Sequence, residues 1–154
     1  MIRGMPVPVV RATLLIRRPP GEVFAAFVNP QTLRKFWLRD ASGPLAPGAR
    51  VEWHFMVAGA SAKVVVTDFE APRRIGFDWP GMHVELTFEA FPEGATRLAA
   101  SISGFGSDDA LTLATNVVEG FTIVFCDLKT LLESGASANL VRDKAELIEA
   151  DKAK

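Results

Sequence analysis

One cysteine, two histidines and no tyrosine stand among 154 residues, and each shortage excludes something. Cys126 has no partner for an intrachain disulfide and fits a reducing compartment. A thiol nucleophile needs an adjacent base to activate it, and the sequence offers Cys126 none; a buried, inert thiol is the plain expectation. His54 and His83 form no pair, no HExxH helix and no cluster with cysteine, so no zinc site is expected. Charge of one sign is also missing: 17 basic and 18 acidic residues leave a formal charge of −1. With no basic stripe, nucleic acid is not an expected partner. No run approaches the ~20 apolar residues of a membrane span. The opening "MIRGMPVPVV" is broken by two prolines and does not read as a signal peptide. The expectation is a cytoplasmic protein without metal, cofactor or catalytic set.

What is abundant is apolar. Hydrophobic residues make up 49%, with 11 Phe and 3 Trp, enough for a core without staples. Val9–Arg18 is β-branched and aliphatic and reads as a strand. Pro19 and Pro20 end it and open a helix bearing Val23, Phe24 and Phe27 on one face. Asn29-Pro30 is a second helix start, an N-cap candidate before a first-turn proline. That short helix carries Leu33, Phe36 and Trp37. "ASGPLAPGA" is a loop by composition.

Then the period becomes two. Val51, Trp53, Phe55 and Val57 alternate with Glu52, His54 and Met56. Turns at Gly59-Ala60, Ala71–Arg74, Pro80-Gly81 and "PEGA" separate further strands, predicting an antiparallel meander of about five with one buried face. From Asp108 to Ser134 the period is helical, with Ser107 or Asp108 as cap and Gly135 as C-cap. Leu111, Ala114, Val118, Phe121, Phe125, Leu128 and Leu132 share a stripe. Gly120 costs about 1 kcal/mol there relative to Ala, which a close contact or an opening beside it would offset. Residues 138–154 predict a weak amphipathic helix with a frayed tip.

This order predicts an α+β fold, a curved antiparallel sheet of about six strands wrapped around a long C-terminal helix, with two short helices after the first strand. One helix about 10 Å wide underfills such a sheet. The leftover volume is expected between sheet, long helix and short helices, opening between the short helices and the long one. Its expected ligand-binding wall is Trp53, Phe55, Phe77, Trp79, Val118, Phe121 and Phe125, with Phe36 and Trp37 at the rim.

Four motifs carry a resemblance: "RRPPGEVFAAFVNPQTLRKFW", "FEAPRRIGFDW", "GATRLAASISGFG" and "GFTIVFCDLKTLLESG". In this order they resemble the SRPBCC superfamily with its START-like helix-grip fold. More narrowly, they resemble the family named after the C-terminal domain of the activator of the ninety-kilodalton heat-shock chaperone's ATPase. The resemblance implies one SRPBCC-type domain over residues 1–154, with a core at 9–135 and a tail at 136–154. It implies a hydrophobic cavity for a lipid, sterol or polyketide-like ligand. Relatives include noncatalytic binders, chaperone regulators and cyclase-like enzymes, so fold alone does not choose among them. Family members often carry Trp where this chain has Phe121, and a polar residue where it has Ile102; both departures make the cavity more apolar.

The expected function is noncatalytic binding of a small apolar ligand. The alternatives are co-chaperone-like regulation of a heat-shock chaperone ATPase, or a cyclase/aromatase-type enzyme. The enzyme reading needs an acid or imidazole facing the cavity. Glu119, Asp68 and His83 are its candidates, each expected more simply to pair or meet water on the surface. A homodimer is a further expected partner state.

Overall fold

The computed structural model describes residues 9–106 and 109–153. β1 (Val10–Ile16) leads into α1 (Pro20–Val28) and α2 (Pro30–Phe36). β2 (Leu38–Ala41), β3 (Arg50–Phe55), β4 (Ser61–Glu70), β5 (Arg74–Trp79), β6 (Met82–Phe91) and β7 (Ala95–Ser103) follow, then α3 (Ala110–Ser134) and α4 (Leu140–Lys152). The strands make one antiparallel sheet of seven, ordered β1-β7-β6-β5-β4-β3-β2. This is the predicted helix-grip arrangement with one strand more than the six expected.

The extra strand is β2. It is four residues long, pairs Leu38 with Phe55 and Ala41 with Trp53, and has an irregular register between Leu38 and Asp40. Two exposed polar residues, Arg39 and Asp40, occupy its centre, so no alternation marks it in sequence. The other strands obey period two. Val64, Val66, Ile75, Phe77, Val84, Leu86, Leu98, Ala100 and Ile102 all point inward and are almost fully buried. Gly76 sits where β4 shifts register against β5, and a Cβ there would lie 3.1 Å from that of Asp68. Only glycine fits without displacing the bulge.

The local signals around α1 and α2 act as expected. Pro20 and Pro30 occupy first-turn positions, and the Asn29 side chain accepts a hydrogen bond from the Gln31 N–H at 2.9 Å. α3 is about 38 Å long at 1.5 Å per residue and ends on Gly135 in the left-handed conformation, φ 88°. The predicted caps Ser107 and Asp108 lie outside the described residues. Leu111 does not belong to the buried stripe: it is 82% exposed, and burial begins at Ala114. The first turn of α3 therefore precedes the part that meets the core.

By length and composition alone α3 would suffice to cross a membrane, a test that the core helix of a soluble protein also passes. Its inward side is nonetheless committed to the sheet: Phe121, Val124, Phe125 and Leu128 are all buried in the core.

Candidate functional site: an apolar cleft under the last helix

Two aromatic zones fill the space between sheet and α3, and they differ in use. Under α1 and α2 the packing is solid. Phe24 meets Phe69 and Phe88 with ring centroids 5.3 and 5.1 Å apart. Phe27 meets Phe36, Phe88 and Phe125 within 6.2 Å. Such edge-on ring contacts are the favoured geometry of aromatic cores. Buried Phe24, Phe27 and Phe36 occupy the space beneath the short helices, where the access route is expected.

The second zone lies toward the β3–β4 turn. Trp37, held as the C-cap of α2, packs against Trp53 at 4.9 Å and Phe121 at 5.7 Å. Trp79 stands 5.8 Å from Phe55 and 5.9 Å from Phe121. Beyond these rings an open cleft of about 450 Å³ runs between the β3–β4 turn, the β5–β6 turn, α3 and α4. That volume falls within the range of small-molecule sites.

The nine residues predicted for the ligand wall divide by position. Trp37, Phe55, Trp79 and Phe121 line the cleft. Phe36, Trp53, Phe77 and Phe125 stand behind them, each under 2% exposed, as the layer that fixes the ring positions. Phe36 is thus interior rather than rim. Val118 is half-buried on the flank of α3, and Val117 and Val124 line the cleft from that helix. Val117 thus lines the cleft where the predicted stripe has Val118, while Ala114, Phe121, Phe125 and Leu128 of that stripe are buried. Gly120 opens directly on the cleft: a Cβ built there meets nothing within 4 Å.

The fourth wall is α4, which sequence reading treated as a weak tail. Val141, Lys144, Ala145 and Ile148 line the cleft from it. The signal was present, since these positions fall at i, i+3, i+4 and i+7, one helical face. Leu140 and Leu147, equally apolar, face outward and obscured it. Polar contacts seat the helix. Buried Asp127 accepts hydrogen bonds from the Ser137 hydroxyl and the Ala138 N–H, each at 2.9 Å, just before α4 begins. Glu149 Oε1 accepts the Ala58 N–H at 2.8 Å, tying α4 to the β3–β4 turn. Lys144 Nζ meets Glu119 Oε1 at 2.8 Å.

None of the three candidate proton-transfer groups lines the cleft. Glu119 pairs with Lys144, and Asp68 pairs with Arg74 at 2.8 Å. His83 Nδ1 lies 2.6 Å from Asp78, and His54 lies 2.8 Å from Glu52. All four are substantially exposed, as the strand alternation implied for the histidines. Cys126 is half-buried beside the core. Among the described residues, no three of His, Cys, Asp or Glu converge as a metal site would require.

The model of the family described as Activator of Hsp90 ATPase homolog 1-like protein matches residues 17–133. No curated protein matches the sequence. Among solved structures, protein SSP2350 from Staphylococcus saprophyticus superposes with a TM-score of 0.76 at 22% identity, covering 84% of this chain and 95% of that one. The Aha1 dimer from Colwellia psychrerythraea gives 0.72 at 16% identity, covering 82% and 96%. DynU16, a protein of the dynemicin biosynthetic locus, gives 0.69 at 21% identity, covering 84% of this chain and 48% of that one. At these identities the likeness is one of fold.

Proposed function

The chain belongs to the family of Activator of Hsp90 ATPase homolog 1-like proteins, and from the cleft its fold leaves open we propose that it binds a small hydrophobic molecule without transforming it. One observation carries this reading: a cleft of about 450 Å³ whose walls are almost wholly apolar, with Trp37, Phe55, Trp79 and Phe121 at its base. Removing apolar ligand surface from water supplies the driving force, at roughly 25 cal/mol per Å² before ordering costs. The ring layer behind the wall is already packed, so little ordering is asked of the protein. The surface ion pairs of Glu119, Asp68 and His83 support binding over a cyclase-type reaction.

Titration with neutral long-chain alcohols, sterols and fused-ring aromatics, read by tryptophan emission, tests the proposal. A saturable change from Trp37 and Trp79 is expected with at least one class. Silence across all classes sinks it.

The family match favours a second reading, modulation of a heat-shock chaperone ATPase. A change in that chaperone's ATP turnover on adding this protein would support it, and unchanged turnover would remove it. A relative described as a dimer makes a second copy of the chain a further partner to test, by sedimentation across a range of concentrations.

A further inference from the structure

We propose that the cleft selects an amphipath with one carboxylate, an apolar tail ending in an acid, and that Lys144 is its counter-charge. This rests on the cleft-binding reading and deepens it. Among the described residues lining the cleft, Lys144 alone carries a formal charge. It stands on the lining face of α4 between Val141 and Ile148, where an apolar side chain would continue the wall. A lysine there lays its alkyl stem along the wall and carries its ammonium to the mouth.

At the mouth the ammonium meets Glu119, with the two side chains 35% and 53% exposed. Such a solvent-screened pair is weak and exchanges easily. The ammonium has three protons to donate, and Glu119 Oε1 takes one. An acid whose tail fills the cleft presents its carboxylate from the drier side, where the same charge–charge contact is less screened. It can share Lys144 with Glu119 or displace it. Of the other acids on α4, Glu149 is engaged with the Ala58 N–H. A cationic amphipath would bring like charge to Lys144, and a neutral alcohol could accept a hydrogen bond there but would lack the opposite charge.

The test compares three probes of equal tail length, dodecanoate, dodecanol and dodecylamine, titrated as monomers at neutral pH against tryptophan emission. Dodecanoate is expected to bind about tenfold tighter than dodecanol, the ratio one charge-assisted hydrogen bond supplies, and dodecylamine weakest. Lys144→Met should erase the acid's advantage while dodecanol still binds, which also reports that the variant is folded. Glu119→Gln should tighten dodecanoate and leave dodecanol unchanged, an outcome that a merely structural ion pair does not produce. Equal binding of acid and alcohol, or an acid preference that survives Lys144→Met, overturns the inference and leaves the cleft reading standing. Binding to phosphatidylglycerol vesicles without binding to monomeric dodecanoate also overturns it, by assigning the charge to a lipid surface. No binding of any probe overturns both.

Discussion

Gly120 is the single glycine in the 25 residues of α3, and it faces open space rather than a neighbour. A helix-interior glycine is destabilising by roughly 0.5–1 kcal/mol relative to alanine. Nothing lies within 4 Å of a Cβ at this position. Gly120→Ala is therefore expected to raise unfolding free energy by about that amount, measured by urea denaturation with an unchanged m-value. A loss of stability would mean the space beside Gly120 is not open. Asp127 makes the opposite case. It is 1% exposed, and its carboxylate accepts from Ser137 and Ala138 rather than from a cation. Asp127→Ala removes charge-assisted hydrogen bonds and strands their donors, a cost of about 2 kcal/mol or more. Asp127→Asn keeps one acceptor oxygen and should lose less. Equal losses for the two would assign the role to packing.

At the scale of elements, the last turns of α3 clamp the end of β1. Glu133 Oε2 accepts the Arg17 N–H at 2.8 Å and the Lys129 ammonium at 2.6 Å, while Lys129 also reaches the Leu15 carbonyl at 2.8 Å. Burial pushes the Glu133 carboxyl up, but the Arg17 N–H and the Lys129 ammonium outweigh it and hold the group below its ordinary value of 4.5. The sign follows from linkage. A depressed folded-state value stabilises above the unfolded one, and that stabilisation disappears as pH falls through the lower, folded value. Stability should therefore fall as pH drops below 4.5, and Glu133→Gln, less stable at neutral pH, should fall less over that window. Parallel acid profiles for the two proteins would exclude Glu133 as a contributor.

Most elements were legible because their signals are local. Proline at the starts of α1 and α2, Asn29 as a cap, period two along β3 to β7 and Gly135 after α3 each act within a few residues. β2 and the role of α4 were not legible. β2 is a strand because β3 offers it partners, not because of its own alternation. The lining stripe of α4 was diluted by the outward Leu140 and Leu147, and only packing against α3 distinguishes the two faces. Sequence likewise marks Phe24, Phe27 and Phe36 as apolar, but not that Phe24 packs edge-on against Phe88 and Phe27 against Phe36.

For the whole molecule, one physical fact organises the rest. A twisted seven-stranded sheet offers more inward surface than α3 alone can cover. At the α1–α2 end, phenylalanines fill the difference. At the other end the difference stays open beneath α4, beside the only glycine of α3. The wall residues legible in sequence, Trp37, Phe55, Trp79 and Phe121, are those whose strand or helix position aims them at this end. Those that proved interior are Phe36 on α2 and Trp53, Phe77 and Phe125, which share the periodicity of the wall residues but lie one layer deeper.

Binding of any apolar ligand at this end depends on the cleft being a usable volume. Its most direct test is a titration of the wild-type protein and of Gly120→Phe with the apolar fluorophore N-phenyl-1-naphthylamine, alongside a thermal melt of each. Saturable binding to the wild type is expected, with its loss in Gly120→Phe, whose added ring occupies the space while the protein still melts cooperatively. Equal binding by both proteins, or no saturable binding by the wild type, would contradict it.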